Sequence, residues 1–409
     1  MSSSNSPLRW WGAPKKFDTN FRERKISWLE LFYDLVYVIA ISKITHHLAA
    51  HLSLAGFFDY AYMFMLIFWG WLNGSLYHDL HGGAGLRTRL MTLWQMMIIA
   101  ALSISIEQTG TQYFRQTTIV FMLMQLFITY QWWSVGFYDK EHRKYNKPYT
   151  ILYLIAFFLL GASLFLPANY APMLMPLVIL FNYIPPFIAT VVLRKHSLSL
   201  SLSASMSERL GLFTIIVLGE VVLGVINGIT KATSFTWLVF GNFALALSVV
   251  FALWWLFFTL ASDRQAKEGF VNASFFQMLY IPMLMSLGFI AVAFSLWFKP
   301  NQVVSLHGAS VQQIFGCALA VYFTCISLMM GLLHYPPDVQ PIKKRVRLSL
   351  LVTALIFFVF ALIFPETNSI YCILLALIIV ISEILYLNSL YYKFNPAEAI
   401  AVDSNEVSS

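Results

Sequence analysis

The chain has 409 residues, of which 59% are hydrophobic and only 11% are charged, with a formal net charge of +7. Soluble domains contain about 45–50% apolar and about 25% charged residues, so this composition excludes a soluble globular fold. Long continuous apolar runs, instead of short alternating segments, also exclude a membrane β-barrel. The sequence therefore predicts an all-α integral membrane protein, whose helices satisfy their own backbone hydrogen bonds in lipid.

Twelve apolar segments, taken in chain order, are long enough to cross a bilayer as helices. The sixth is interrupted by Pro176 and by Pro185–Pro186, which are expected to kink it or to break its hydrogen-bond ladder. The predicted spans are residues 28–50, 57–77, 90–107, 114–138, 149–166, 171–193, 208–229, 235–260, 273–297, 311–333, 348–364 and 369–391.

The spans fall into two groups of six, and similar residues recur in the same order in both groups. Leu31–Phe32 and Leu212–Phe213 are one such pair, and Gln95–Met96 and Gln277–Met278 are another. This order predicts two parallel six-helix pseudo-repeats, related by an axis along the membrane normal. The predicted parts of the chain are a basic N-terminal tail (1–27), a first half (28–193), a linker (194–207), a second half (208–391) and a C-terminal tail (392–409).

Basic residues predict the orientation, because cytoplasmic loops of membrane proteins are enriched in Lys and Arg. Alternating spans place 22 of the 26 basic residues on the side of the N-terminal tail, three on the other side and Lys43 inside a span. Both termini and the linker are therefore predicted to be cytoplasmic. Anionic lipids at that face are the expected partners of the basic loops, whereas nucleic acid is not expected to bind.

Ionisable residues inside the spans are costly, which makes them the first candidates for function. Glu30 and Asp34 lie one turn apart near the cytoplasmic end of the first span, and Glu220 lies near the middle of the seventh. Together with Glu383 of the twelfth span, these residues are predicted to line a pathway for protons, cations or substrate. Glu220 is the preferred candidate, although the glycines on its helix also favour simple tight packing.

Lys43 and Glu107 are expected at a similar depth in the membrane, so that they can form a structural ion pair. No metal site, cofactor or catalytic residue is expected. The three cysteines lack zinc-site spacing, and the clustered histidines are interpreted as hydrated side chains. No nucleophile, base and orienting group meet at one depth, which argues against an enzyme.

Two segments carry a resemblance to a known family. ELFYDLVYVIAI at residues 30–41 resembles the opening signature of the bacterial low-temperature-requirement A (LtrA) membrane proteins, and RLGLFTIIVLGEVVLGV at 209–225 resembles their second-half signature. The likeness covers most of residues 22–298. It implies a multi-pass protein of the bacterial cytoplasmic (inner) membrane with a link to growth at low temperature. The family residues that it marks are Glu30, Asp34 and Glu220.

Three functions stay open on these observations. The two halves, the carboxylates inside the spans and the proline-broken sixth span favour a secondary transporter or permease-like protein for an unknown small solute or ion. A membrane scaffold, sensor or channel-like protein without coupled transport is favoured if the charges inside the spans all prove to be paired. An intramembrane lipid-modifying enzyme is the third alternative.

Overall fold

The protein is helical almost throughout the part of the chain that the structure, a computed structural model, describes. Long apolar sequences favour helices here because a helix satisfies every backbone donor and acceptor within one segment. The residues described are 25–83, 85–107, 110–140, 143–167, 170–193, 202–229, 237–262, 264–297, 305–306, 309–337, 339–364 and 368–394.

The described residues form thirteen α-helices, one short 3-10 helix and two paired strands, joined by short connecting segments. The strands, β1 (Ser305–Leu306) and β2 (Ala309–Ser310), form an antiparallel ribbon just before the eleventh helix. The 3-10 helix covers Ala171–Leu174. The helices are α1 (Trp28–Ala50), α2 (Leu54–His81), α3 (Leu86–Ser105), α4 (Gly110–Tyr138), α5 (Arg143–Ser163), α6 (Met175–Tyr183), α7 (Pro185–Leu193), α8 (Ala204–Ile229), α9 (Trp237–Leu260), α10 (Phe270–Trp297), α11 (Val311–Leu332), α12 (Gln340–Ile363) and α13 (Ser369–Phe394).

Each predicted span has a helical counterpart, which confirms the all-α membrane class. Among the described residues, ten helical segments are long and apolar enough to cross a membrane. Helices α1 and α5 are not among these ten. Both carry charged residues: α1 contains Glu30, Asp34 and Lys43, and α5 opens with Arg143 and Lys144. The count of twelve spans thus stays a prediction.

The predicted break in the sixth span is confirmed. Helix α6 ends at Tyr183 and α7 begins at Pro185. Because proline has no backbone N–H, Pro185 and Pro186 cannot donate to the carbonyls of Phe181 and Asn182, as residues of a continuous helix would. Pro176 has a different effect from the predicted kink: it lies in the first turn of α6, where its missing N–H costs nothing.

The start of α8 corrects one predicted boundary. The helix begins at Ala204, inside the predicted linker 194–207, because the Ser203 hydroxyl accepts a hydrogen bond from the Met206 amide at 3.0 Å and caps the helix. Residues 194–201 of that linker lie outside the described residues, as do most of the two predicted tails. Helix α13 continues to Phe394, slightly beyond its predicted end.

The chain divides into two compact units. The first comprises Met1–His47, Asp59–Arg209 and Glu268–Ser274, and the second comprises Leu48–Phe58, Leu210–Lys267 and Phe275–Ser409. In the first unit, α4 packs against α3 and α5, and α5 also contacts α6 and α7. In the second unit, α11 packs along α12, while α13 contacts α9 and α12. The parallel pseudo-repeat stays a prediction.

The outward faces of many helices are apolar. Large exposed side chains occur in both units, for example Phe158 of α5 and Trp133 of α4 in the first and Leu355 of α12 and Leu385 of α13 in the second. A soluble protein rarely leaves so much apolar surface in water. These faces therefore fit contact with lipid tails.

A buried ionic cluster as candidate functional site

Two carboxylates of α1 are buried in the first unit. Glu30 is 1% and Asp34 0% exposed, and their spacing of four residues places both on one face of the helix. The Ser27 hydroxyl donates to Glu30 Oε1 at 2.8 Å. Buried carboxylates of this kind require positive partners, because an uncompensated charge is expensive to remove from water.

The positive partner is Arg209, the last residue of the first unit, in the second turn of α8. Its side chain is 1% exposed. Nη2 is paired with Asp34 Oδ1, and Nε donates to Asp34 Oδ2 at 3.3 Å. Nη1 lies 3.7 Å from Glu30 Oε2 and has no hydrogen-bond partner among the described residues. Arg209 therefore holds Asp34 with a two-pronged contact, the strongest kind of side-chain pairing, and approaches Glu30 more loosely.

Aromatic side chains enclose this ion pair. The Trp71 indole N–H donates to Asp34 Oδ1 at 2.7 Å. The Arg209 guanidinium carbon lies 5.6 Å from the centre of the Tyr33 ring and 5.7 Å from that of Trp71. These are cation–π distances. The rings exclude water, and each charge–charge contact inside the enclosure is stronger than it would be at a surface.

A histidine ring reaches the same cluster from α2. His78 Nδ1 lies 3.8 Å from Glu30 Oε1, and Nε2 lies 2.5 Å from the Thr92 hydroxyl. Histidine is the side chain that most readily changes charge near neutral pH. Glu30, Asp34, His78 and Arg209, hereafter the ionic cluster, therefore combine the Asp34–Arg209 ion pair with a second carboxylate and an imidazole in one buried place.

Asp79 fixes the helix that carries Arg209. Its carboxylate accepts hydrogen bonds from the Ser203 hydroxyl at 2.6 Å and from the Ser205 hydroxyl at 2.5 Å. Ser205 precedes Arg209 by one helical turn, so both side chains lie on the same face of α8. The end of α2 thus anchors the first turn of α8, and the next turn of α8 places the Arg209 guanidinium beside Asp34.

Polar side chains continue beyond the ionic cluster into the interior of the first unit. Gln95 of α3 donates to the Tyr37 hydroxyl at 3.0 Å and to the Gly70 carbonyl at 3.1 Å. The Tyr33 hydroxyl donates to that carbonyl at 3.4 Å. A methyl group on Gly74 would overlap the Tyr33 hydroxyl and would lie 2.6 Å from the Gln95 amide. Gly74 is therefore the residue that allows this contact between α1, α2 and α3.

Asn73 of α2 joins two further helices, α4 and α5, through its side-chain amide. Its Oδ1 accepts from the Trp132 indole at 3.1 Å and from the Tyr153 hydroxyl at 2.7 Å, while its Nδ2 donates to the Trp69 carbonyl at 2.9 Å. Trp132 lies in α4 and Tyr153 in α5, whereas Trp69 precedes Asn73 by one turn of α2. A buried amide with all these bonds made fixes one arrangement of the helices.

The polar interior extends to the break in the sixth span. Gln125 donates to the Tyr153 carbonyl at 3.2 Å and to Asn182 Oδ1 at 2.9 Å. Asn182 is buried one residue before the end of α6, and its Nδ2 has no hydrogen-bond partner among the described residues. The buried Trp69 indole N–H makes no hydrogen bond of good geometry with those residues. Buried donors are almost always satisfied, so both mark places for an acceptor on a water molecule or a solute.

The second unit holds Glu220 and Glu383. Glu220 of α8 is buried, and Gly224 one turn later packs on α10, where an added methyl would lie 2.5 Å from the Ala291 carbonyl oxygen. Gly219 has open space around it, so the predicted packing role falls to Gly224. Glu383 accepts hydrogen bonds from two hydroxyls of α12, at 2.7 and 3.0 Å, and thereby ties α13 to α12.

Lys43 and Glu107 are in contact in the first unit, as an ion pair requires. Their side chains are 41% and 61% exposed, so the pair lies on the surface of the unit. Its structural importance therefore stays a prediction.

Sequence reasoning missed three residues of this site, Arg209, His78 and Trp71, as contributors. The sequence analysis counts Arg209 only among the basic residues of the predicted cytoplasmic side, because it lies at the start of the seventh predicted span. Two carboxylates on one face of a span require a cation from another segment, and Arg209 opens the second signature; together these signals point to it. The buried amides of the polar interior were also not predicted, because a search for ionisable groups does not consider neutral side chains.

The apolar outward faces, the ten candidate spans and the buried polar interior define a multi-pass helical membrane protein. The sequence profile of the family described as bacterial low temperature requirement A protein (LtrA) matches residues 25–382. The chain therefore belongs to the LtrA family. No curated protein and no solved structure matches the chain.

Proposed function

We propose that this protein is a secondary transporter or permease-like protein of the bacterial cytoplasmic membrane, with twelve spans and both termini in the cytoplasm. The observation that supports this most is the ionic cluster, which is buried among membrane helices. Ionisable groups in such places are expensive and usually serve proton, ion or substrate movement. The exchangeable proton is assigned to Glu30 and His78, and Asp34 is the anion that Arg209 neutralises.

A proton on Glu30 changes the force between α1 and the start of α8. The distance of 3.7 Å between Arg209 Nη1 and Glu30 Oε2 is slightly longer than a hydrogen bond. An ionised Glu30 attracts the guanidinium and closes this gap, whereas a protonated Glu30 attracts it much less. Proton binding therefore shifts the balance between two positions of these helices, which is what coupling to transport requires.

The polar interior of the first unit is the proposed route of a small polar solute. The Asn182 amide and the Trp69 indole supply donors, and the break between α6 and α7 supplies carbonyl acceptors. Broken helices and polar side chains at such breaks form the substrate sites of many secondary transporters. A solute with hydrogen-bond acceptors fits this set of groups. Glu220 stays a second carboxylate candidate, in the other unit.

The proposal is tested by replacing Glu30 with Gln, which keeps the shape of the side chain and removes its titration. The matched control is Glu208→Gln, because Glu208 is an exposed carboxylate next to Arg209. In a strain that lacks the protein, growth in the cold is measured first. Proton movement driven by solute mixtures is then measured with a pH-sensitive dye in proteoliposomes.

Glu30→Gln should reduce both signals at least about tenfold at equal amounts of inserted protein, and Glu208→Gln should leave them unchanged. Full growth and full proton movement with Glu30→Gln would overturn the proposal. That result would favour a scaffold, sensor or channel-like protein without coupling. The pairing of Asp34 with Arg209 and of Lys43 with Glu107 is the observation on which that alternative rests.

A further inference from the structure

Two connecting segments of the second unit are joined by backbone hydrogen bonds. The amide of Lys267 donates to the Leu332 carbonyl at 2.8 Å, and the amide of His334 donates to the Gln265 carbonyl at 2.9 Å. One segment follows α9 and the other follows α11. Both lie on the side that the basic residues predict to be cytoplasmic. The pairing brings the basic residues of two separate loops to one place.

Tyr335 is the centre of this place. Its ring is buried, and its hydroxyl donates to the Leu260 carbonyl at 2.5 Å. The Arg264 guanidinium carbon lies 4.9 Å from the centre of the ring, and Lys343 Nζ lies 4.7 Å from it. One aromatic ring therefore contacts two cations from two different elements. Burial raises the pKa of Tyr335, while the positive charges of Arg264 and Arg347 oppose that rise.

Arg347 and Lys267 complete a cluster of four cations. Arg347 of α12 donates from Nε to the Ser327 carbonyl at 2.9 Å, and its guanidinium packs against Gly331. Both Lys267 and Arg347 lie close enough to Lys343 to repel its charge. Arg264, Lys267, Lys343 and Arg347 are called the basic cluster below. All four side chains are partly buried, neither fully in solvent nor fully enclosed.

Three cations of the basic cluster have no carboxylate partner among the described residues. Within those residues, Lys267, Lys343 and Arg347 form no ion pair with a carboxylate. Lys343 uses one of its three N–H donors, on the Leu333 carbonyl at 2.8 Å. Lys267, Lys343 and Arg347 are like charges partly withdrawn from water, so they repel one another and favour a multivalent anion. Asp263 and Asp338, their neighbours in sequence, lie outside the described residues.

We propose that the basic cluster is a binding site for a phosphate group. A phosphate has several acceptor oxygens and fits converging Lys and Arg donors at the cytoplasmic membrane surface. The phosphate belongs either to the head group of an anionic lipid or to a free phosphate compound, and both share this chemistry. The inference is independent of the transport proposal, because none of its residues belongs to the ionic cluster.

The test compares two double substitutions in α12. Lys343→Gln with Arg347→Gln removes two members of the basic cluster. Lys344→Gln with Arg345→Gln removes the same charge from the same helix turn, at side chains that are exposed. Delipidated full-length protein in detergent is titrated with short-chain phosphatidylglycerol, with the matching phosphatidylcholine and with inorganic phosphate, and binding is measured by calorimetry.

The wild-type protein should bind phosphatidylglycerol at least about tenfold more tightly than phosphatidylcholine. The Lys343/Arg347 double variant should weaken binding by about 10- to 100-fold, because it loses two charge-assisted contacts. The Lys344/Arg345 variant should change it by less than about threefold. Phosphatidylglycerol binding alone identifies a lipid head group, whereas equal binding of inorganic phosphate identifies a free anion. Both outcomes support the site.

Equal losses in the two double variants, or no preference of the wild type for a phosphate-bearing anion over phosphatidylcholine, would overturn the proposal. The first result would mean that the whole basic surface acts by its net charge. Should the Lys343/Arg347 variant fold poorly, Lys267→Gln replaces it. Lys267 lies in a connecting segment outside the helices, and its substitution should still weaken phosphate binding about tenfold.

Discussion

Replacing Arg209 by Met tests the energetics of the ionic cluster. Methionine keeps the length and much of the volume of the side chain but removes its charge. The two contacts to Asp34 are lost, and two carboxylates then lie buried without this cation. Breaking a buried ion pair in this way costs about 3–5 kcal/mol, because the remaining charge is not compensated. Such a loss is a large fraction of the stability of a folded protein.

A second substitution separates the ion pair from simple packing. Asp34→Asn combined with Arg209→Met removes both charges of the fixed pair and keeps its approximate shape. The double variant should be more stable than Arg209→Met alone, since a removed pair costs less than a broken one. The coupling free energy from the four proteins should be at least about 1 kcal/mol in magnitude.

Unfolding by SDS in mixed micelles, followed by circular dichroism, provides the measurement. Arg89→Met serves as the control, because Arg89 is an exposed arginine of α3 in the same unit. This substitution should change the free energy of unfolding by no more than about 0.5 kcal/mol. An Arg209→Met protein as stable as the wild type would refute the reasoning, and so would strictly additive losses in the double variant.

Three further predictions concern packing and topology. Gly74→Ala should lower the free energy of unfolding by about 1–3 kcal/mol, since the added methyl overlaps neighbouring polar atoms. Gly219→Ala, in open space on α8, should be neutral or slightly stabilising. Equal effects of the two substitutions on SDS unfolding would contradict this prediction. Glu383→Gln should keep growth in the cold, because its observed contacts are to two hydroxyls that an amide can also engage. Loss of growth at normal expression would support the predicted role of Glu383 in the pathway instead. His51 precedes α2 and Gly83 follows it, so the predicted topology places them on opposite sides of the membrane. His51→Cys should react with an impermeant thiol reagent added outside intact cells, and Gly83→Cys should not. The reverse pattern would show that the predicted orientation is wrong.

The helices were predictable because the length of each continuous apolar run can be counted directly in the sequence. The first span, for instance, was predicted at 28–50 and α1 covers those residues. Boundaries shifted where a polar cap or a charged first turn extended a helix, as at Ala204, where Ser203 caps α8. The break at Pro185–Pro186 was also predictable, since the missing donor is a local property of proline.

The site was predictable only in part, because its contacts join residues that are distant in sequence. Glu30 and Asp34 stand out locally as charges in an apolar run. Arg209 is 175 residues from Asp34, so the pairing cannot be derived from either segment alone and needs the two to be considered together. Glu220 is preferred for its depth, for the glycines on its helix and for its place in the second signature, and none of these reveals which charged groups meet.

The central claim is that one proton binds reversibly to the Glu30–His78 pair inside the ionic cluster. Infrared difference spectroscopy between acidic and alkaline buffer measures this directly, because a protonated buried carboxyl group has its own C=O stretching band. The wild-type protein should show such a band at acidic pH that disappears at alkaline pH, and the band should be absent from Glu30→Gln and retained in Glu208→Gln. A band that persists unchanged in Glu30→Gln, or no pH-dependent carboxyl band in the wild type, would contradict the account.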